Sequence, residues 1–502
     1  MKVLVYTASS LCNPQFGIQM EHAIKYAEEG NEVVFCHCAG CMSACSANPY
    51  QNAALCKACK IGFRAGLKNL PAGIRIERLE TTVASNYQWQ DFKSISEIKS
   101  YKYKEVEVGF SVLSVYITKT RNPRPEITRP FLIAINSLMR EAICLIDAAE
   151  AIVDSERPDL IVFFNGRFFD TKPFYSLSVK NKIDYLTTES IGGVRANDEY
   201  RMVSFYNRIP HDANVIYENI LESWDKSSID EEERRKIGVS FYERRRNGVR
   251  AGDYAYTSYQ EVGKLPKDFD AKKKNIVFFT SSEDEFSSVS AEVDGYYLFG
   301  SQYEAVKYLA DNIHDDTYHI YVRIHPNMKD LKVQYHMDLY KLSSYKNVTV
   351  IAPEDTISSY ALIDVAYNIV TFGSTIGAES MYWEKPLVLL GFADYYYWRA
   401  CSVPQCIGEV IDMVKGPKVY PGAKDMAIKY GFYFLENGLA KRTDHIKITP
   451  KNERIMGKSI SSFEYLSFFK STRLFRFIQI VYSRLMSRVY QNHIVFPDII
   501  NN

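Results

Sequence analysis

Short apolar runs alternate with stretches of helical spacing along this chain, a pattern that predicts a parallel α/β protein. Residues 2–7 form a mostly apolar run. Helical spacing follows over 17–29, with Gly30-Asn31 as its stop, and a second apolar run extends from Glu32 to Cys38. Further runs at 73–79, 160–164 and 182–188 continue the pattern, with a long helical segment over 131–155. A strongly charged, helix-compatible region then covers 213–265, and its simplest reading is a set of solvated helix faces bridging two halves. The alternation restarts with runs at 275–280, 319–324, 347–351 and 370–372, separated by helical segments at 301–313 and 358–366. A last helix is expected over 424–438. Continuous apolar strands of this kind are buried on both faces and need helices on each side.

This organisation predicts two Rossmann-like domains with a helical tail. The boundaries expected are 1–265 for the first domain, with a cysteine-rich insert at 36–60, 266–455 for the second, and 456–502 for the tail. A length of 502 residues is ample for two hydrophobic cores. The formal net charge of +1 argues against non-specific nucleic-acid binding. The opening MKVLVYTASSL is a strand pattern rather than a secretory signal, and no apolar run reaches bilayer length, so a cytoplasmic protein is expected. The segment Phe463 to Phe496 is apolar and aromatic, with Lys470, Arg473, Arg476, Arg484 and Arg488 interspersed. That composition suits an interfacial helix on the cytoplasmic face of an anionic membrane, or contact with an assembly complex. A terminal helix folded back onto the first domain fits it as well.

Candidate chemistry concentrates in Val370 to Gly391, VTFGSTIGAESMYWEKPLVLLG. An apolar run ends at Phe372, and Gly373, Ser374 and Thr375 make a turn into a short helix carrying Glu379. Ligands of open α/β sheets bind beyond the carboxyl ends of the strands. N–H groups at a helix start suit phosphate, and an acid one turn on suits ribose hydroxyls. An ordinary βαβ turn fits the same residues. Two other strand ends in this half carry polar groups. Thr280, Ser281 and Ser282 precede the acids Glu283 to Glu285, and Arg323 shares a strand face with His325, which Pro326 holds in a fixed turn. The histidine suits phosphate binding or protonation of a leaving group.

In the first half no GxGxxG follows the first strand, so a dinucleotide site is not supported. Asn165, Gly166 and Arg167 stand at one strand end, where Arg167 suits a carboxylate or phosphate or a local salt bridge. Glu189, beside Gly192 and Gly193, falls at another and suits a general base toward an acceptor hydroxyl, or a packing role. Seven of the ten cysteines lie between Cys12 and Cys59. Their clustering points to Cys38, Cys45, Cys56 and Cys59 as ligands of a structural zinc or an iron–sulfur cluster, with Cys41 or His37 as substitutes. Cys41 and Cys45 would share a helical face, and Cys56 and Cys59 would clip the metal in a turn. Reduced thiols or one reversible disulfide are the alternative.

Together, Asn165-Gly166-Arg167, Glu189 with its glycines, FFTSSEDEF at 278–286, RIHPN at 323–327 and TFGSTIGAESMYWEKPLVLLG at 371–391 resemble bacterial capsular-polysaccharide and O-antigen glycosyltransferases of the GT-B type. In that family the segment around Glu189 is closer to His-Glu-Arg-Gly, from which Thr188 and Ser190 depart. The resemblance implies two Rossmann-like domains facing across a cleft and a nucleotide-sugar donor. The donor's phosphate and ribose would be held by His325, Ser374, Thr375 and Glu379, with Ser281, Ser282, Arg323 and Gly373 as further donor-binding residues. It also implies a glycan acceptor, lipid-linked in many cases, with Glu189, His325 and Arg167 as catalytic residues and no DxD-bound metal. A polyol-phosphate transferase, a sugar-nucleotide epimerase and a non-catalytic scaffold remain as alternatives.

Overall fold

The computed structural model describes residues 1–459 except 12–13, 43, 50, 81–86, 193–198, 250–256, 437, 439, 450–451 and 456–457. The chain divides into two compact units. The first comprises residues 1–210, 288–290 and 440–502, and the second 211–287 and 291–439. The basic tail segment 463–496, with its expected membrane contact, lies outside the described residues.

The first unit is built on β1 (Lys2–Thr7), β2 (Glu32–His37), β3 (Arg75–Arg78), β4 (Leu160–Phe164), β5 (Asp184–Gly192) and β6 (Tyr200–Tyr206). These form one sheet of order β3-β2-β1-β4-β5-β6, parallel except for β6. Alternate residues of β1 face opposite ways. Val3 and Val5 pack with Phe16, Met20 and Phe63 on one face, while Leu4 and Tyr6 pack with Leu145, Ala149 and Phe174 on the other.

The second unit is built on β7 (Lys274–Phe279), β8 (Tyr318–Arg323), β9 (Val348–Ile351), β10 (Asn368–Thr371) and β11 (Leu387–Leu389). They form an all-parallel sheet of order β11-β10-β7-β8-β9. Numbered within the unit, this is order 3-2-1-4-5, the same as that of the first five strands of the first unit. Both are Rossmann-like, so the two-domain α/β class expected of a GT-B-like protein is present. In each unit the order reverses beside the first strand, next to β4 in one and β10 in the other. That reversal is where open α/β sheets take ligands.

Two boundaries differ from those expected. The charged region after residue 211 is not a bridge. Its helices Ala213–Asp225 and Glu231–Arg246 contribute Ile220, Trp224, Phe241 and Tyr242 to the second unit's core. Glycines let this packing close up, since a Cβ on Gly238 would lie 2.2 Å from the carbonyl of Ile428 in the Ala423–Leu435 helix. Residues 440–449 return to the first unit. Ile446 and Ile448 are buried in its core. The carboxylate of Glu21, with no exposed side-chain surface, accepts from the backbone N–H groups of Asp444, His445 and Ile446.

Candidate functional site

In the second unit, the carboxyl ends of β7, β8 and β10 deliver most of the expected residues to two adjoining cavities. Thr280, Arg323, His325, Ser374, Thr375 and Glu379 line a narrow one of about 60 Å³. Ser281, Ser282, His325, Gly373, Ser374 and Thr375 line a wider one of about 320 Å³, together with Glu285, Asn327, Asp394 and Tyr430. His325, Ser374 and Thr375 belong to both, and so does Arg245.

The turn after β10 has one permitted shape. Gly373 has φ +139°, and a Cβ there would meet the Phe392 carbonyl at 2.3 Å. The buried Tyr395 hydroxyl donates to the Ser374 carbonyl at 2.7 Å and lies 3.0 Å from Thr371 Oγ1. It needs Gly377 opposite, where a Cβ would fall 2.1 Å from that hydroxyl. The turn is therefore pinned before any ligand arrives. The amides at the start of the Ile376–Tyr382 helix are not open to phosphate as the spacing suggested. Ile376 N–H donates to Ser374 Oγ at 3.4 Å and Gly377 N–H to the Ser374 carbonyl at 3.0 Å. What the turn presents is the hydroxyl of the exposed Thr375.

His325 follows β8, with its backbone N–H donating to Thr280 Oγ1 at 2.8 Å. Its Nδ1 accepts from the Asn327 N–H at 3.2 Å. This places the proton of the neutral ring on Nε2, leaving the ring a hydrogen-bond donor at that nitrogen. Arg323, only 1% exposed, has another task. Its guanidinium donates to the carbonyls of Ala352 and Asp355 and to the Tyr259 hydroxyl, fixing the loop after β9. Its two terminal nitrogens are taken up there, its buried Nε has no hydrogen-bond partner, and the side chain lines the narrow cavity. Of the three acids after Ser282, Glu283 accepts from Gln302 and Asp284 from Tyr335, both in the core, and Glu285 alone lines the wider cavity.

Glu379 is buried at 3% exposure. Its Oε1 accepts from Arg245 Nε at 3.1 Å, and its Oε2 accepts from the Tyr360 hydroxyl. A carboxylate offers about four lone-pair positions; with Arg245 Nε and Nη2 at Oε1 and the Tyr360 hydroxyl at Oε2, capacity for one ribose hydroxyl remains. Burial, reinforced by the Glu379 charge, pushes the Tyr360 hydroxyl well above the ordinary tyrosine range, so it stays a donor. Arg245 escaped the sequence reading because it sits in the charged run Glu243–Arg246. A signal was present, since Gly238, Phe241 and Tyr242 are buried and Arg245 continues that face at helical spacing.

In the first unit the structure brings Asn165, Arg167 and Glu189 together. Asn165 (φ +57°) and Gly166 (φ +78°) turn the chain sharply after β4. Asn165 Oδ1 accepts from Arg167 N–H at 3.1 Å, and its Nδ2 donates to Glu189 Oε1. Glu189 is not at a strand end as expected. β5 continues to Gly192 because antiparallel β6 pairs with it, Glu189 opposite Val203. The pairing of Phe164 with Thr188 puts Glu189 level with the first residue beyond β4. Burial pushes its carboxyl up to about 7, against the lowering effect of Asn165, the Ser190 N–H and Arg167. Arg167 is 9% exposed and its Nε donates to Ser114 Oγ on the Val108–Thr120 helix.

The cysteines are arranged differently from expectation. Cys56 and Cys59 lie within the Ala53–Leu67 helix, not in a turn. Cys45 forms a β-bridge with Asn48 rather than a helical pair with Cys41. Cys38 and Cys41 are brought to a sulfur separation of 3.9 Å by a turn through Ala39 and Gly40, both at positive φ. Cys59 Sγ accepts from Ser10 N–H at 3.3 Å. Among the described residues no disulfide joins two cysteines, and no group of three or more His, Cys, Asp or Glu is placed to hold a metal ion.

No protein-family model matches the chain, and no curated protein matches it. Solved structures do show likeness. One is the beta Kdo 2,4 transferase KpsC of Thermosulfurimonas dismutans, at 15% identity over 54% of this chain and 78% of that one, with a TM-score of 0.35. Another is UDP-GlcNAc 2-epimerase from Neisseria meningitidis, bound to UDP-GlcNAc, at 14% identity over 88% and 99%, with a TM-score of 0.28. A third is the sucrose-phosphate synthase of Thermosynechococcus elongatus, at 8% identity over 87% and 94%, with a TM-score of 0.25. At these scores the assignment of fold rests on the chain's own strand order. Among the described residues no helix is long and apolar enough to cross a membrane.

Proposed function

We propose that the protein is a glycosyltransferase that moves a sugar from a nucleotide-sugar donor to a surface-glycan acceptor, with the donor nucleotide bound in the second unit. One observation carries this reading. Hydroxyls, a histidine with a directed N–H and a buried carboxylate converge from three parallel strand ends at the point where the strand order reverses. Glu379 takes a ribose hydroxyl. Thr375 and His325 Nε2–H face the phosphate and stabilise it as it departs. The first unit supplies Glu189, whose carboxyl near 7 suits a general base. In the transfer, the acceptor oxygen bonds to the anomeric carbon and its proton passes to Glu189. The bond from that carbon to the phosphate oxygen breaks, and its electron pair leaves with the nucleotide. The resemblance of the motifs to capsule and O-antigen enzymes points to a bacterial surface glycan as acceptor.

Native mass spectrometry with CMP, UDP, GDP, CDP and dTDP tests the donor site. One nucleotide is expected to bind selectively, and its sugar-activated form to be consumed only when a lipid-linked glycan acceptor is added. Failure of all five to bind would overturn the reading. Turnover without an acceptor would transfer it to an epimerase.

A further inference from the structure

The last turn of the Glu231–Arg246 helix ends among the cavities just described, and it brings a cation there. We propose that Arg245 is the phosphate-binding cation of the nucleotide site, holding Glu379 through one edge of its guanidinium and the donor phosphate through another. The proposal rests on the donor-site reading and assigns the group that recognises the charged part of the donor.

Among the residues lining the two cavities, three can carry positive charge: Arg245, Arg323 and His325. Arg323 spends both terminal nitrogens on the carbonyls of Ala352 and Asp355 and the Tyr259 hydroxyl, which leaves only its buried Nε. His325 accepts at Nδ1 from the Asn327 N–H and so offers a donor at Nε2 alone. Arg245 lines both cavities, and its side chain is 13% exposed. Its Nε and Nη2 each lie 3.1 Å from Glu379 Oε1. A guanidinium carries five N–H donors in a planar fork, which lets it serve a carboxylate and a phosphate together. The phosphate hangs from the same ribose that Glu379 binds, so a group touching Glu379 is within one nucleotide's reach of it. The position is fixed from below. Thr257 Oγ1 donates to the Arg245 carbonyl at 2.9 Å, and the guanidinium stands over the Phe241 ring at 5.1 Å.

Phosphate recognition separates from nucleoside recognition by comparing a nucleotide with its parent nucleoside. Titration calorimetry on the full chain would use cytidine with CMP and CDP, uridine with UDP, guanosine with GDP and thymidine with dTDP. The readout is the ratio of nucleotide to nucleoside affinity. In Arg245→Gln this ratio is expected to collapse by at least about 10-fold. If that variant fails to fold, the paired Arg245→Gln/Glu379→Gln variant leaves neither charge buried alone. The ratio should be preserved in Glu379→Gln and collapse in the pair. Equal loss for nucleoside and nucleotide, or a ratio unchanged by removing Arg245, would overturn the assignment while leaving the donor site standing. Absence of binding by wild-type protein to every nucleoside and nucleotide would overturn both.

Discussion

The two units share a strand order and differ in what they gather where that order reverses. The second holds a neutralised pair there, Glu379 against Arg245, backed by the Tyr360 hydroxyl. The first holds a carboxyl, Glu189, that burial keeps near the point of protonation, with the amide of Asn165 as its hydrogen-bond donor. A paired acid is a fixed charge suited to binding. An acid poised near 7 is suited to taking up and releasing a proton. Under the proposed function, one scaffold used twice separates recognition from proton transfer by neighbouring residues alone.

The sharpest way to break the comparison is to remove each acid and watch stability. Glu379→Leu strands the Arg245 charge in a buried place, and a cost of about 3–5 kcal/mol is expected in urea denaturation. Glu189→Gln should do the reverse in alkaline buffer. The folded carboxyl titrates near 7, above its ordinary value of 4.5. The native state therefore holds this proton to higher pH than the unfolded chain does. The associated stability is complete below about 4.5 and is lost as pH rises through 7. Relative to wild type, Glu189→Gln should gain stability over that window, by roughly 1–2 kcal/mol because part of the side chain remains open to solvent. A loss of stability at pH 8 would refute the upward shift that burial imposes on Glu189.

Next in size is the effect on turnover. The pH dependence of kcat/KM should show a limb near pH 7 that vanishes in Glu189→Gln, with a rate loss of about 10²–10⁴. A limb unchanged in the variant would assign the base elsewhere. A smaller effect probes the pinned turn of the second unit. Tyr395→Phe leaves the Ser374 carbonyl without its hydroxyl donor and should cost about 1–2 kcal/mol, with a few-fold weaker nucleotide binding. Unaltered melting would show that the turn holds without the tyrosine.

The sequence made the strands legible because both sheets are buried on two faces, and their apolar runs mark nearly every strand. The residues at strand ends were legible for the same reason, since a strand's end fixes which side chains reach the crevice. Three things were hidden. Arg245 lies in a run of arginines, and only its register with Phe241 and Tyr242 distinguishes it from solvated neighbours. The true reach of β5 depends on β6, an antiparallel partner that no local pattern announces. Arg323 looks like a ligand-facing residue by alternation, yet the carbonyls that occupy it come from a loop about 30 residues on. Each of these is settled by tertiary contacts rather than by spacing along the chain.

The most direct test is a parallel titration of the nucleotide panel against wild type, Glu379→Gln and Glu189→Gln. The account predicts that one nucleotide binds wild type, that Glu379→Gln weakens it about 10-fold or more, and that Glu189→Gln binds it unchanged. Equal loss in both variants, or no nucleotide bound at all, would contradict the division of recognition and proton transfer between the two units.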